Sequence, residues 1–234
     1  MSAAARSPLS RERILTTAIS YVDEHDLASL TMRRLGQLLG VEAMSLYHYV
    51  NGREDLLEGM VGHLVAGIRV PPREPVGPAD GWQGFLQLVG HGVRTLAVEH
   101  PHLFPLVATR PPAAPWLRPP LRSLELVDDF LDGLVARGLS DEAAVRTYKS
   151  FTSFLLGHLL LEVADTSAQA VVGAETLDEG EPSKKQQSQA LEHAPTVERL
   201  EPLLRRHDPE SEFDRAMEAL LMRLDRELDE GDHH

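Results

Sequence analysis

The residues of this chain best suited to chemistry at another molecule's surface are crowded into one stretch, Thr31 to Arg53. It holds the hydroxyls of Thr31, Ser45, Tyr47 and Tyr49, the guanidinium groups of Arg33 and Arg53, the imidazole of His48, and the apolar side chains of Ala43 and Met44. This is an inventory for recognition. Hydroxyl, imidazole and guanidinium donors suit phosphates, a guanidinium can also pair bidentately with guanine, and small apolar groups suit thymine methyls.

The elements that must present these groups follow from the same stretch. Leu35 with Leu38 or Leu39 gives a short first helix an apolar face, and Gly40 can take the positive φ that ends it. Val41, Leu46 and Val50 anchor a second helix, so the pair is predicted to be a helix-turn-helix. Thr31 stands at the N-cap of the first helix, where its neighbouring N–H groups can face a phosphate, and Arg33 lies one turn in on the polar side. The second helix should enter a major groove by its N-terminal residues, which puts Ala43, Met44 and Ser45, with Glu42, against the bases. Tyr47 and His48 follow on the outer face toward phosphates. Tyr49 is shared between groove edge and domain packing, and Arg53 is expected to be a phosphate anchor.

The register Leu30-Thr31-x-Arg33-x-Leu35, Gly40-Val41 and Leu46-Tyr47, closed by Arg53, resembles the tetracycline-repressor (TetR) family of bacterial transcriptional regulators. Gly36, Met44, Tyr49 and Val50 depart from that family's usual Ala, small residue, His and Phe. The resemblance implies a homodimer on a palindromic double-stranded DNA operator, repression as the default, and release by a small-molecule effector that swings the connector helix. In the family the residue matching Arg33 approaches DNA. The alternative is a non-DNA-binding small-molecule or protein-interaction module on the same fold; retention of Arg33, Tyr47 and Arg53 speaks against it.

The rest of the chain reads as helices throughout, predicting an all-α protein. The expected organisation is a helix-turn-helix domain over 1–52, a connector helix over 53–70, and a larger effector-binding and dimerisation domain over 71–234. Ser10 caps a first helix of about four turns. Leu56, Leu57, Met60, Val61, Leu64, Val65 and Ile68 keep helical spacing along the connector until Val70-Pro-Pro stops it. After a Pro-rich link over 71–78, Asp80 is placed to cap a helix from Gly81 to about Glu99. A short turn follows His100-Pro, then an extended Pro-rich connection. The next helix is predicted over 119–137 with Pro119 and Pro120 in its first turn. Ser140 opens a further helix to about Ala164, apolar on several faces and so buried on more than one side. Residues 165–193 read as a flexible loop, and 196–206 and 210–230 as two final helices.

The large domain resembles the tetracycline-binding branch through Gly81-Trp-Gln-Gly-Phe-Leu, Ala108-Thr-Arg-Pro and Phe154-Leu-Leu-Gly. That branch's magnesium-holding His is Leu106 here and its drug-binding Asn is Val89, so chelated tetracycline is not the expected ligand. A more apolar pocket is expected, suited to a hydrophobic or aromatic effector. Its candidate lining is Trp82, Phe85, Phe104, Leu106 and Thr109, with Trp116, Phe130, Phe151, Phe154 and His158, each of them also an ordinary core residue, and core is the expected role of any one taken singly. The resemblance further implies that residues 141–164 and 210–229 pair with their copies in a second subunit as a four-helix bundle.

Net charge is −13, which is unusual for a DNA-binding chain. Residues 1–70 carry seven arginines against eight carboxylates, so the acidic excess lies outside the head. A head this close to neutral predicts modest non-specific affinity and dependence on a dimer. There is no cysteine, which excludes thiolate chemistry and disulfides. No Gly-rich phosphate loop, nucleophile elbow or isolated carboxylate pair is present, so no enzyme and no cofactor are expected. His158 with Glu162, and His100 with His102, offer only two ligands each, and no metal site is assigned. The first ten residues lack an apolar signal core, and the longest apolar run, Phe151 to Ala164, is interrupted by His158 and Glu162. A cytoplasmic protein with no membrane partner is therefore expected.

Overall fold

A computed structural model describes residues 8–72, 81–174 and 193–231. Among these the regular structure is helical: α1 Arg11–Glu24, α2 Met32–Leu39, α3 Ala43–Leu46, α4 Arg53–Ala66, α5 Trp82–Glu99, α6 Phe104–Thr109, α7 Leu124–Val135, α8 Asp141–Ala174, α9 Pro195–Leu204 and α10 Pro209–Gly231. Apart from an isolated bridge between Arg118 and Leu121, no extended pairing occurs among the described residues. The chain divides into two compact units, residues 1–167 and 168–234.

The helices start where the chain supplies side-chain acceptors. Ser10 accepts from the Arg13 N–H, Thr31 from Arg34 and Ser123 from Leu126, each satisfying an N–H that has no partner within its helix. Gly40 closes α2 at φ 71°, a left-handed conformation that costs a Cβ-bearing residue, and the chain turns directly into α3. Asp80 lies outside the described residues; Gly81 is the residue before α5.

In the first unit, α1 packs on α2 and α4, α2 on α3, α4 on α6, and α5 on α7. Leu30, Leu35, Leu46 and Val50 form the head's interior with Ile14, Ala18 and Val22 of α1. The larger core is built on Phe130, whose ring centroid lies 5.5 Å from Phe85, 5.5 Å from Phe151 and 6.0 Å from Tyr148. Space there is exhausted: a Cβ on Gly133 would come within 2.7 Å of the Phe85 ring.

Two predicted elements are corrected. The helix expected over 119–137 begins only at Leu124. Pro119 and Pro120 are joined by a cis peptide in the preceding loop, which the Tyr148 hydroxyl ties down by accepting from the Arg118 N–H at 2.6 Å and donating to the Leu121 carbonyl at 3.2 Å. Burial of that phenol raises its pKa. Backbone pairing of Ala113 N–H with the Arg122 carbonyl also holds the segment out of a helix. The loop expected from Asp165 is helical as far as Ala174, and the remainder of that expectation, 175–192, lies outside the described residues.

α8 buries one main face, through Tyr148, Phe151, Leu155, Leu159 and Val163, while Leu161 remains 69% exposed. Glu162 is also buried on this helix and receives the Arg94 guanidinium in two-pronged fashion, Nη2 at 2.7 Å and Nε at 3.1 and 3.2 Å. Removing one partner of such a pair leaves a buried charge uncompensated, which costs about 3–5 kcal/mol, whereas replacing both is far milder. Glu162→Ala should therefore lower unfolding free energy in urea by about 3 kcal/mol, with Arg94→Met/Glu162→Leu recovering most of the loss. A single-variant loss no larger than the double's would show the pair to be energetically idle.

Candidate functional site

The reading head is assembled by three internal ties. At the junction of α3 and α4, Arg11 donates to the Tyr49 carbonyl at 2.8 Å and to both Asp55 oxygens at 3.2 and 2.7 Å. Asp55 also accepts the Asn51 N–H at 2.7 Å, so one carboxylate fixes α1, the end of the α3 segment and the first turn of α4. Those hydrogen bonds, the Arg11 one first, hold its pKa down at about 2. Arg53 donates to the carbonyls of Leu30 and, at 3.0 Å, of Leu27, bracing the loop that feeds α2. Arg34 lies over the Tyr21 ring at 5.6 Å.

α2 and α3 approach so closely that a Cβ on Gly36 would stand 2.9 Å from the Val41 carbonyl oxygen and 3.2 Å from the Ala43 nitrogen. This accounts for glycine at a position where the family resemblance anticipates alanine. It also draws Ala43 partly into the helix–helix contact, leaving it half-buried, like Ser45. Met44 stands out at 74% exposure, and Tyr47, His48 and Tyr49 are exposed beside it, while Leu46 and Val50 are buried as anticipated. Thr31 caps α2, and Arg33 is exposed. The nine residues expected to face DNA thus lie on one small head, with Arg53's guanidinium already engaged by two carbonyls. That engagement was not legible in the sequence, because nothing local to Arg53 signals carbonyls 23 and 26 positions away.

The residues expected to line an effector pocket are distributed differently. Phe85, Phe104, Phe130 and Phe151 are fully buried core. Trp82, Leu106, Phe154 and His158 are half-buried, with the Phe154 and His158 rings 5.5 Å apart. Thr109 turns its hydroxyl back to the Pro105 carbonyl at 2.8 Å, and Trp116 is 73% exposed. Open clefts among the described residues include two that none of these ten residues lines. One, of about 530 Å³, runs along α4 against residues 111–113 and the start of α7. The other, of about 350 Å³, lies between α1, α4 and α5.

Beside the larger cleft, arginines from the far side reach α4. Arg110 meets Glu54 at 2.5 Å and Glu58 at 3.3 Å, and Arg122 meets Glu58 at 3.2 Å. Three of the four groups considered for metal have other partners. Glu162 holds Arg94, the His100 Nδ1 lies 2.8 Å from Asp23, and the His102 Nδ1–H donates to the Val22 carbonyl. No described helix is long and apolar enough to cross a membrane.

A helix-turn-helix head joined by one helix to an aromatic-cored helical domain defines a class of architecture, and comparison with known proteins places the chain within it. The profile of the tetracyclin repressor-like C-terminal domain matches residues 74–224. The chain belongs to the tetracycline-repressor family. It is 25% identical over 166 residues to the HTH-type transcriptional repressor DrrR1 of Streptomyces coeruleorubidus, covering 70% of this chain but 58% of that protein's length. A crystal structure of a possible TetR family transcriptional regulator from Streptomyces coelicolor A3(2) superposes with a TM-score of 0.70 at 25% identity, covering 93% of this chain and 99% of that one. Streptomyces coelicolor ActR, solved in complex with actinorhodin, shares the fold, with a TM-score of 0.67 at 24% identity over 93% of this chain and 97% of that one.

The depressed Asp55 pKa has a directional consequence. A carboxylate whose folded pKa lies below its unfolded value of about 3.9 stabilises the fold fully above that value and ceases to do so as pH falls through the folded one. The difference in melting temperature between the native chain and Asp55→Asn should therefore be constant near neutrality and close between about pH 4 and about pH 2. A difference independent of pH over that window would show that the charge of Asp55 does not hold the junction.

Proposed function

We propose that the chain is a transcriptional repressor that binds a palindromic double-stranded DNA operator as a homodimer and is released by a small hydrophobic or aromatic effector. The observation that carries the DNA reading is the outward face of the head. Met44, Tyr47 and Tyr49 are large and exposed within six residues, on a segment whose inward side, Leu46 and Val50, is fully packed. An apolar and aromatic patch on so small and rigidly tied an element is costly to leave in water and is explained by a partner surface. Its chemistry fits thymine methyls from Met44 and Ala43, with Ser45 at base edges and Tyr47, His48 and Arg33 at phosphates or guanine. Names borne by relatives, among them the repressor DrrR1, agree with this reading.

Dimer formation through 141–164 and 210–229 is supported by apolar side chains left uncovered on both segments. These are Val145 and Leu161 on α8 and Met222 on α10. Residues 1–52 then act as the reading head, 53–70 as its connector and 71–234 as the effector-binding and dimerisation part. The protein is proposed to work in the cytoplasm, without cofactor or catalysis. Release by an effector is supported by ActR, solved with a small molecule on the same fold.

Selection of bound fragments from genomic DNA is expected to enrich a palindrome. On that sequence Met44→Ala or Ser45→Ala should change base preference by about 1–3 kcal/mol at single positions, while Arg33→Ala weakens binding. Arg53→Ala should weaken all sequences alike and also lower the melting temperature, since it unties Leu27 and Leu30. Equal losses on operator and random DNA for the Met44 and Ser45 variants would refute the groove assignment.

A further inference from the structure

The aromatic core that would ordinarily be the first place to look for an effector is filled. Its rings touch one another, and even the hydrogen of Gly133 has no room to become a methyl group. Open volume is present in the cleft of about 530 Å³ beside α4, within the size range of small-molecule sites, roughly 300–1,000 Å³. Val65 of α4 and Ile68, just past its end, line it together with Pro112 and Leu126, which provides an apolar slot.

The polar groups of this cleft are unevenly matched. Its lining holds three carboxylates, Glu58, Glu125 and Asp129, and one guanidinium, Arg122. Glu58 is already bound by Arg122 and Arg110. Glu125 and Asp129 are one helical turn apart on α7, exposed to the cleft, and have no ion-pair partner among the described residues. Arg122, three residues before Glu125, is only 5% exposed; its Nη2 is shared between the Pro111 carbonyl and Glu58, and its Nε is buried with no partner among the described residues. An unsatisfied buried N–H is costly, and because this one is closed to solvent, a bound acceptor relieves it only by drawing the side chain out toward the cleft.

We propose that this cleft is the effector site and that its ligand is a compact apolar or aromatic molecule carrying a basic amine and, a few bonds away, a hydrogen-bond acceptor. The apolar body lies between Val65 and Leu126, the ammonium meets Glu125 and Asp129, and the acceptor takes the Arg122 Nε–H. An acceptor that draws Arg122 toward itself competes with Glu58 for the same guanidinium, so occupancy loosens the tie that holds α4. The site rests on the repressor reading only for the meaning of its occupancy, not for its chemistry.

Gly62 offers a clean block. It lines the cleft, and a Cβ there meets nothing within 4 Å, so Gly62→Phe puts a ring at the cleft wall with no clash at its Cβ. Three probes with one body and three charges discriminate the ligand class: naphthyloxyethylamine, naphthyloxyethanol and naphthyloxyacetate. Calorimetric titration of the full chain should show the amine binding at least about tenfold (1.4 kcal/mol) more tightly than the acetate. Glu125→Gln/Asp129→Asn should cost the amine a similar factor while leaving the alcohol unchanged, and Gly62→Phe, folded by circular dichroism, should abolish binding of all three. Amine and acetate binding alike, amine binding that survives Gly62→Phe, or no binding by any probe at millimolar concentration would overturn the site. Because titration needs no DNA, amine binding without operator binding supports the site and refutes the repressor reading. Operator binding without amine binding does the reverse.

Discussion

α4 has to be a wall of two compartments at once, and the rest of the first unit is arranged around that constraint. Leu56, Leu57, Met60, Val61, Leu64 and Val65 are all buried, more of the helix circumference than a single amphipathic stripe would cover. On one side α1 comes so near that a Cβ on Gly59 would stand 2.7 Å from a Leu15 methyl. On the other, α6 packs against it and Arg110 and Arg122 hold Glu54 and Glu58. A close-packed interior does not deform continuously, so a shift of α4 against the core must carry α1 and, through Arg11 and Asp55, the reading segment with it.

The arrangement also explains how a head of nearly neutral charge can still be specific. Several of its arginines serve architecture. Arg11 joins three elements through Asp55, Arg34 covers Tyr21, and Arg53 braces the loop before α2. Arg33 has no such duty among the described residues. On the proposed reading, affinity then rests less on phosphate neutralisation than on base-edge and methyl contacts by a rigid surface, doubled by a second subunit.

How much of this could be read in the chain follows from the range of each signal. Caps and stops are local: Ser10, Thr31 and Gly40 sit where their own chemistry says they should, and the head was legible almost residue by residue. The start of α7 was not, because Pro119 and Pro120 suit a helix's first turn in isolation, and the Tyr148 hydroxyl, 27 to 30 residues away, decides against it together with the Ala113–Arg122 backbone pairing. The burial of Phe85, Phe104, Phe130 and Phe151 was legible for the same reason that a pocket was not. Aromatic residues advertise burial, but whether they surround a space or fill it depends on ring packing that no spacing encodes. The cleft beside α4 is framed by glycine, proline, apolar and charged residues contributed from positions 58 to 129, and no periodicity joins them.

The central claim is that α4 is held to the core by the Arg110 and Arg122 ties and transmits motion to the head. The most direct measurement is amide hydrogen exchange on the full chain and on Arg110→Ala/Arg122→Ala, resolved by helix. The account predicts faster exchange in α4 and in the α3 segment of the variant, with α5 and the Phe130 end of α7 unchanged. Unaltered protection of α4, or a uniform loss across every helix, would contradict it.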